Sequence, residues 1–162
     1  MSGVKDGTQG VPRVRHARVE DLPEVARLAA EHAEYEKAAP PAADLAQRLA
    51  GPLFGGDGPP RLYCLVAESA DGKLVGYATC APEFSTWEGR AYLHMDCLFL
   101  RSGQRGHGLG PLLVEAVVAQ ARTLGLDEVQ WQTPVWNEGA IRFYERLGAT
   151  GKEKLRYALK VE

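Results

Sequence analysis

The chain has 162 residues, 45% of them hydrophobic and 25% charged, with a net charge of −2. That length suits one domain able to bury its own core, and the charge balance disfavours a nucleic-acid surface, which needs a basic patch. No apolar run is long enough to cross a bilayer, no charged-then-apolar leader opens the chain, and Cys64, Cys80 and Cys97 sit in apolar runs without metal-ligand spacing, so a cytoplasmic protein with reduced thiols, no membrane contact and no metal is expected.

Residues 1–10 are polar and glycine-containing, which predicts a flexible N-terminal tail ahead of one domain over 11–162. Valines at 11, 14 and 19 suggest a first strand. From Asp21, Leu22, Val25, Ala26, Ala29 and Ala33 recur at helical spacing, with Pro23 tolerable in the first turn. A second short helix is expected over 43–50, and the glycines and prolines of 51–60 predict a loop. Residues 61–68 form a nearly continuous apolar run, suited to a strand buried on both faces. Asp71-Gly72 marks a hairpin turn into a strand over 74–81. Residues 90–100 read as a longer strand in which Ala91, Leu93, Met95, Cys97 and Phe99 share one face, and Tyr92, His94, Asp96, Leu98 and Leu100 the other. A helix follows from Leu109 and ends at Gly125. A strand over 128–133, a helix capped by Asn137 and closed by Gly148, and a last strand over 155–161 complete the chain. Three hairpin-linked strands followed by two strand–helix units predict an α/β fold with a mixed sheet and helices on its faces.

The strongest chemical signal is Gln104-Arg105-Gly106-His107-Gly108-Leu109-Gly110, lodged between a strand and a helix. Alternate glycines let the backbone turn tightly and approach a ligand. The following helix offers unpaired N–H groups and its positive dipole end, a seat for a diphosphate. Arg105 adds a charge-assisted donor. The same spacing also suits a turn that merely changes direction. Leu109-Gly110-Pro111 stands where a Walker loop needs Gly-Lys-Ser/Thr, and Thr133-Pro134 supplies no acidic partner for a dinucleotide fingerprint.

Arg105-x-x-Gly108-x-Gly110, together with Asn137-x-x-Ala140-x-x-Phe143-Tyr144-x-x-x-Gly148-Ala149, resembles the motifs of the Gcn5-related N-acetyltransferases (GNAT). The resemblance covers nearly the whole chain, about residues 14–160. It implies the single-domain GNAT fold, a twisted, mostly antiparallel sheet with helices on both faces. It also implies acetyl-CoA as co-substrate. The amides of Arg105, Gly106, His107, Gly108, Leu109 and Gly110 are then expected on the diphosphate. Leu98, Phe99 and Leu100 are expected beside the acetyl group, with one backbone N–H as oxyanion donor, and Asn137 and Tyr144 near the pantetheine arm and thiol.

Acetyl transfer to an amine requires three services. An alkyl ammonium, with a pKa near ~10, must lose a proton. The thioester carbonyl passes through a tetrahedral oxyanion, and the departing thiolate takes a proton. Asp96 interrupts an apolar strand just before the loop, where Asp is a poor strand former, and is the candidate base. Its alternative is a carboxylate satisfied by backbone donors. His94 is the competing base by its ordinary titration range. Tyr144 reads by itself as a core aromatic, and by the resemblance as the donor to sulfur.

Within the family the chain resembles the diamine (spermidine/spermine-type) and thialysine acetyltransferases through Tyr35-Glu36, residues 63–68, Trp87 and Trp136-Asn137-Glu138. There Glu36, Trp87 and Asp96 match groove positions, with Tyr35 beside them, suited to a cationic chain through ion pairing and cation–π contact. Ser85 and Cys97 replace two acidic groove positions, so a single-amine substrate stands level with a polyamine. The resemblance also implies a homodimer, with Glu153 a candidate contributor across its interface. Rival readings are a protein-lysine or N-terminal acetyltransferase, a non-catalytic acyl-CoA-binding module and a purely structural α/β module.

Overall fold

The computed structural model describes residues 10–162, so the expected tail, apart from Gly10, lies outside the described residues. They divide between Trp131 and Gln132 into two compact units. In the first, five strands form one sheet in chain order: β1 (Arg13–His16), β2 (Tyr63–Glu68), β3 (Leu74–Ser85), β4 (Arg90–Leu100) and β5 (Val129–Trp131). The first four run antiparallel, and β5 joins β4 in parallel. Helices α1 (Leu22–Tyr35), α2 (Leu45–Phe54) and α3 (Leu109–Thr123) complete this unit.

The sheet is covered on both sides, which explains the unbroken apolar run of β2. Leu65 and Ala67 join Leu109, Leu113, Val117 and Ala121 of α3 in one core. Cys64 and Val66 join Leu22, Val25 and Leu28 of α1 and Leu53 of α2 in the other. Burial pushes the Cys64 thiol up to about 12 and that of Cys80 to about 11, so both are inert packing groups. Gly76 on β3 leaves no room for a side chain against β4. A Cβ there would lie 2.8 Å from the Phe99 carbonyl oxygen.

The expected alternation of β4 fails at Asp96. Thr79 of β3 faces Cys97 and Cys80 faces Met95, so Asp96 is one residue more than β3 can match. This β-bulge inverts the phase beyond it. Leu93 and Met95 belong to the α3-side core, and past the bulge Leu98 and Leu100 pack there, while Phe99 and Cys97 turn to the α1–α2 side. The expected face shared by His94 and Asp96, and by Met95 and Cys97, is therefore broken.

Two further expectations are corrected. The predicted loop over 51–60 begins late, because α2 continues through Pro52 to Phe54. Burial of Leu53 and the bond from the Gly55 N–H to the Gly51 carbonyl (2.8 Å) outweigh local propensity. The predicted last strand over 155–161 has no secondary structure, although Leu155, Tyr157, Leu159 and Val161 alternate as expected. Alternation defines a face, but a strand also needs a ladder partner. The second unit contains α4 (Glu138–Arg146) and no strand among its described residues. Here Asn137 caps α4 as expected, its Oδ1 accepting from the Ala140 N–H at 3.2 Å.

Arg15 ties β1 to both its neighbours in space and sequence. Its guanidinium donates to Asp21 at 2.7 and 3.0 Å and to Glu68 at 2.8 Å. The Arg15 hydrogen bond holds the Asp21 carboxyl below its usual range; Arg13, then Arg15, do the same for Glu68. Folded pKa values that are depressed stabilise the protein above the ordinary carboxylate range, and that stability is lost as pH falls below about 4. Arg15→Met is expected to cost about 2 kcal/mol at pH 7 by leaving two half-buried carboxylates short of a donor. In urea titrations the deficit should shrink at pH 3, where the carboxylates of the variant are neutral.

Candidate functional site

The loop expected to bind a diphosphate leaves β4 through a single 3-10 turn, Ser102–Gln104. Arg101 anchors its start. The Arg101 N–H donates to the Val75 carbonyl at 2.9 Å, and its guanidinium holds Glu24 and Glu31 of α1 at 2.9 and 2.8 Å. Gly106 and Gly108 follow with φ of 85° and 82°, a left-handed backbone that glycine adopts without penalty. A Cβ at either position would meet nothing within 4 Å, so the loop backbone is open to an approaching group. Helix α3 then begins at the buried Leu109 with Gly108 as its N-cap and no side-chain cap. Pro111 brings no N–H to the first turn, so the amides of Leu109 and Gly110 carry the positive end of the helix. This donor set suits an anionic group such as a diphosphate. The side chain of Arg105 lies elsewhere than on the loop amides: its Nε donates to the Leu100 carbonyl at 3.2 Å, and its guanidinium stacks over Tyr35 at 4.7 Å.

Ahead of the loop, part of one edge of β4 has no strand partner among the described residues. Its pairing with β5 covers only Leu93, His94 and Met95 opposite Val129, Gln130 and Trp131. Among the described residues no strand continues beside Asp96, Cys97, Leu98, Phe99 and Leu100 on that side. The bulge places the Asp96 carboxylate at the start of this stretch, exposed to solvent. His94 lies before the bulge, half-buried between Ala81 and Gln130.

On the α1 side a chain of polar contacts runs from Glu36 to the Tyr77 hydroxyl. Glu36 lies 3.3 Å from His32 Nε2, and His32 Nδ1 lies 3.0 Å from the Tyr77 hydroxyl. On β4 the Cys97 thiol donates to Asp96 Oδ2 at 3.6 Å. Burial, then the neighbouring Cys97, pushes the Tyr77 hydroxyl far above its usual value, and burial raises the Cys97 thiol. Both therefore carry their protons at neutral pH. Phe99 stacks on the His32 ring at 5.2 Å and meets Tyr35 at 6.4 Å.

The structure thus gathers Tyr35, Glu36, Asp96, Phe99, Leu100 and Arg105 around the end of β4. Trp87 stands apart at the tip of the β3–β4 hairpin, 97% exposed. From Arg90 to Asp96 alone the strand runs about 20 Å. In the second unit Tyr144 is half-buried on α4 beside Phe143, ring centroids 5.4 Å apart. Sequence reasoning passed over His32 and Tyr77. The helical spacing of His32 and Glu36 is a signal for the first. Tyr77 reaches the site only through sheet register.

Residues 20–149 match the family described as Acetyltransferase (GNAT) family. The chain is 32% identical over 143 residues to the thialysine N-epsilon-acetyltransferase of Bos taurus, covering 84% of this chain and 82% of that one. It shares 34% identity over 76 residues with the L-ornithine N5-acetyltransferase of Arabidopsis thaliana, 47% of this chain and 33% of that one. Among solved structures, a possible acetyltransferase from Clostridium difficile 630 has the same fold, with a TM-score of 0.74 at 17% identity over 94% of this chain and 99% of that one. With the family match spanning most of the sequence and a relative of this identity covered over four-fifths of its length, the chain belongs to the GNAT family of acetyltransferases.

Proposed function

We propose that this protein transfers the acetyl group of acetyl-CoA to a primary amine of a small cationic molecule, in the cytoplasm. The observation that carries the reading is the pairing of an uncapped helix N-terminus behind an open glycine loop with a carboxylate bulged out of β4 just before it. The relatives named for thialysine and ornithine acetylation support an aliphatic amine as acceptor.

Acetyl-CoA, when bound, supplies an activated acyl group as its thioester. The backbone from Arg105 through Gly110 holds its diphosphate, and Leu98, Phe99 and Leu100 offer unpaired main chain beside the acyl group. Asp96 accepts the proton of the ammonium, directly or through water, and its charge attracts the cation. His94 is the alternative acceptor. Asn137 and Tyr144 are assigned to the pantetheine arm and to protonation of the sulfur by their place in the family motif. Tyr35 and Glu36, at the end of α1, form an aromatic and acidic wall for the amine. With Ser85 and Cys97 in place of acidic groups, the site carries fewer carboxylates than a polyamine trap needs.

We also propose a homodimer. Leu155, Tyr157, Leu159 and Val161 are 80%, 85%, 92% and 94% exposed in an extended segment with the alternation of a strand. Phe84 and Trp87 project likewise from the β3–β4 hairpin. Exposed apolar side chains of this kind call for a cover in each unit, and a second copy would supply one, with Trp87 and Glu153 as candidate contributors to the partner's groove.

Four outcomes check these readings. Gly108→Val, which forces a β-branched residue to positive φ and fills the cradle, should weaken CoA binding at least tenfold by calorimetry while circular dichroism stays unchanged; equal affinity contradicts the loop assignment. In thiol-release assays, lysine-like monoamines should rival spermidine in kcat/KM, and Tyr144→Phe should lower kcat by about 10²–10⁴ with little change in KM. A strong preference for spermidine would show that Ser85 and Cys97 matter little to selectivity, and an unchanged kcat would remove Tyr144 from the chemistry. Sedimentation should give a dimer for the full chain and a monomer for a chain ending at Lys152; a monomeric full chain removes the dimer.

A further inference from the structure

We propose that His32 is a positioning residue for amine recognition: anchored on the buried Tyr77 hydroxyl, it donates to the Glu36 carboxylate and holds it at the end of α1 as a fixed anionic contact for the acceptor ammonium. The proposal rests on the reading of Glu36 as part of the amine wall and is independent of which group takes the amine proton.

The need for such a hold comes from where Glu36 stands. It is the C-cap of α1. Lys37 follows at a φ of 58°, the one non-glycine at positive φ among the described residues, a conformation that a residue with a Cβ adopts only at a cost. The turn is closed by the Ala38 N–H on the Ala33 carbonyl at 2.8 Å and by the Lys37 N–H on that of Glu34 at 3.1 Å. The chain therefore leaves the helix abruptly after Glu36, and no further helical turn packs beyond its carboxylate. The Glu36 side chain is 33% exposed and that of His32 12%, so a ligand can reach the carboxylate while the imidazole behind it stays covered. A long side chain left loose at a helix end loses rotamer freedom when a ligand binds, and that loss weakens the complex.

The hold is built from the core outward. Ionised Glu36 only accepts, so His32 Nε2, one helical turn earlier and 3.3 Å from Glu36 Oε1, carries the hydrogen. That assignment is the same whatever Nδ1 carries. Nδ1 lies 3.0 Å from the Tyr77 hydroxyl, and Tyr77 is 2% exposed. A hydroxyl at that depth keeps its partner, because bulk water is not at hand to replace it. Phe99 stacks on the imidazole at 5.2 Å and 17°, and the Tyr77 ring meets it at 5.9 Å and 74°. Two strands of the sheet thus fix the plane of the ring and the direction of its Nε2–H. A carboxylate accepts at both oxygens, so the bond on Oε1 does not use up the site an ammonium needs.

The test is a double-variant cycle read separately on the amine and on the cofactor. Values of kcat/KM for a lysine-like monoamine, and of KM for acetyl-CoA, are measured for the wild type, Glu36→Gln, His32→Leu and the double variant. Glu36→Gln should lower kcat/KM for the amine about tenfold or more, the size of one hydrogen bond to a charged group, and leave KM for acetyl-CoA within about twofold. His32→Leu keeps an apolar group against Phe99 and removes the donor; it should lose about fivefold on the amine and again spare acetyl-CoA. In the Glu36→Gln background the same change should lose less than about twofold, because its effect passes through the carboxylate. A loss there as large as in the wild type, or an equal rise in KM for acetyl-CoA, marks a merely structural residue and overturns the proposal. Since leucine leaves the Tyr77 hydroxyl buried without its partner, Tyr77→Phe is the gentler second variant. It removes only the anchoring hydroxyl and should lose about threefold on the amine alone, an effect absent in the Glu36→Gln background. Unchanged amine efficiency in Tyr77→Phe overturns the anchor and with it the proposal. A loss in Glu36→Gln with none in His32→Leu overturns the proposal and leaves the amine wall in place. Unchanged amine efficiency in Glu36→Gln overturns the wall and the proposal together.

Discussion

One residue in β4 has no counterpart in β3, and the geometry at the end of the sheet follows from it. A strand that alternates without interruption would have sent Cys97 and Phe99 to the α3 side with Leu93 and Met95. The extra residue at Asp96 reverses the phase, so Leu98 and Leu100 fill the α3-side core and Phe99 meets α1 instead. Only in that phase does the Phe99 ring lie under His32 and against Tyr35. The same bulge leaves a charged side chain at the surface without burying it in either core. A carboxylate in the regular ladder would face packed apolar side chains and pay a desolvation cost of several kcal/mol; the bulge avoids this.

The end of β4 is held from several sides while remaining open on one. Arg101 joins the strand terminus to α1 through Glu24 and Glu31, and Gly76 lets β3 approach the Phe99 carbonyl more closely than any side chain permits. Beyond Met95 the β5 edge carries no neighbouring strand among the described residues. Held on the α1 side and without a strand partner on the other among the described residues, this stretch keeps backbone groups outside the ladder. The loop that follows has the same character: two glycines at positive φ, then a helix whose first amides lack a side-chain cap.

Charge is distributed to match. Arg15, Arg90 and Arg101 are committed to structural ion pairs with Asp21, Glu68, Asp127, Glu128, Glu24 and Glu31. Arg105 is spread over an aromatic ring. Asp96 has a thiol, not a cation, as its polar contact on β4. An arginine partner there would instead occupy both carboxylate oxygens.

Helical periodicity from Leu22, the unbroken apolar run of β2, the glycine loop before Leu109 and the Asn137 cap were all legible in the sequence, because each depends on neighbours a few residues away. The family motif was legible for the same reason. What the sequence could not decide depends on register between distant segments. The bulge exists only in the pairing of residues 79–80 with 95–97, so the faces of β4 could not be assigned from alternation alone. The meeting of His32 with Tyr77 requires α1 to cross β3 some forty-five positions later in the chain. Pro52 inside α2 and the unpaired segment from Leu155 to Val161 make the same point in opposite senses. Packing of Leu53 extended a helix past its breakers, and want of a ladder partner left a well-patterned strand unformed, since backbone hydrogen bonds and burial are settled by what lies alongside, not by what lies next in sequence.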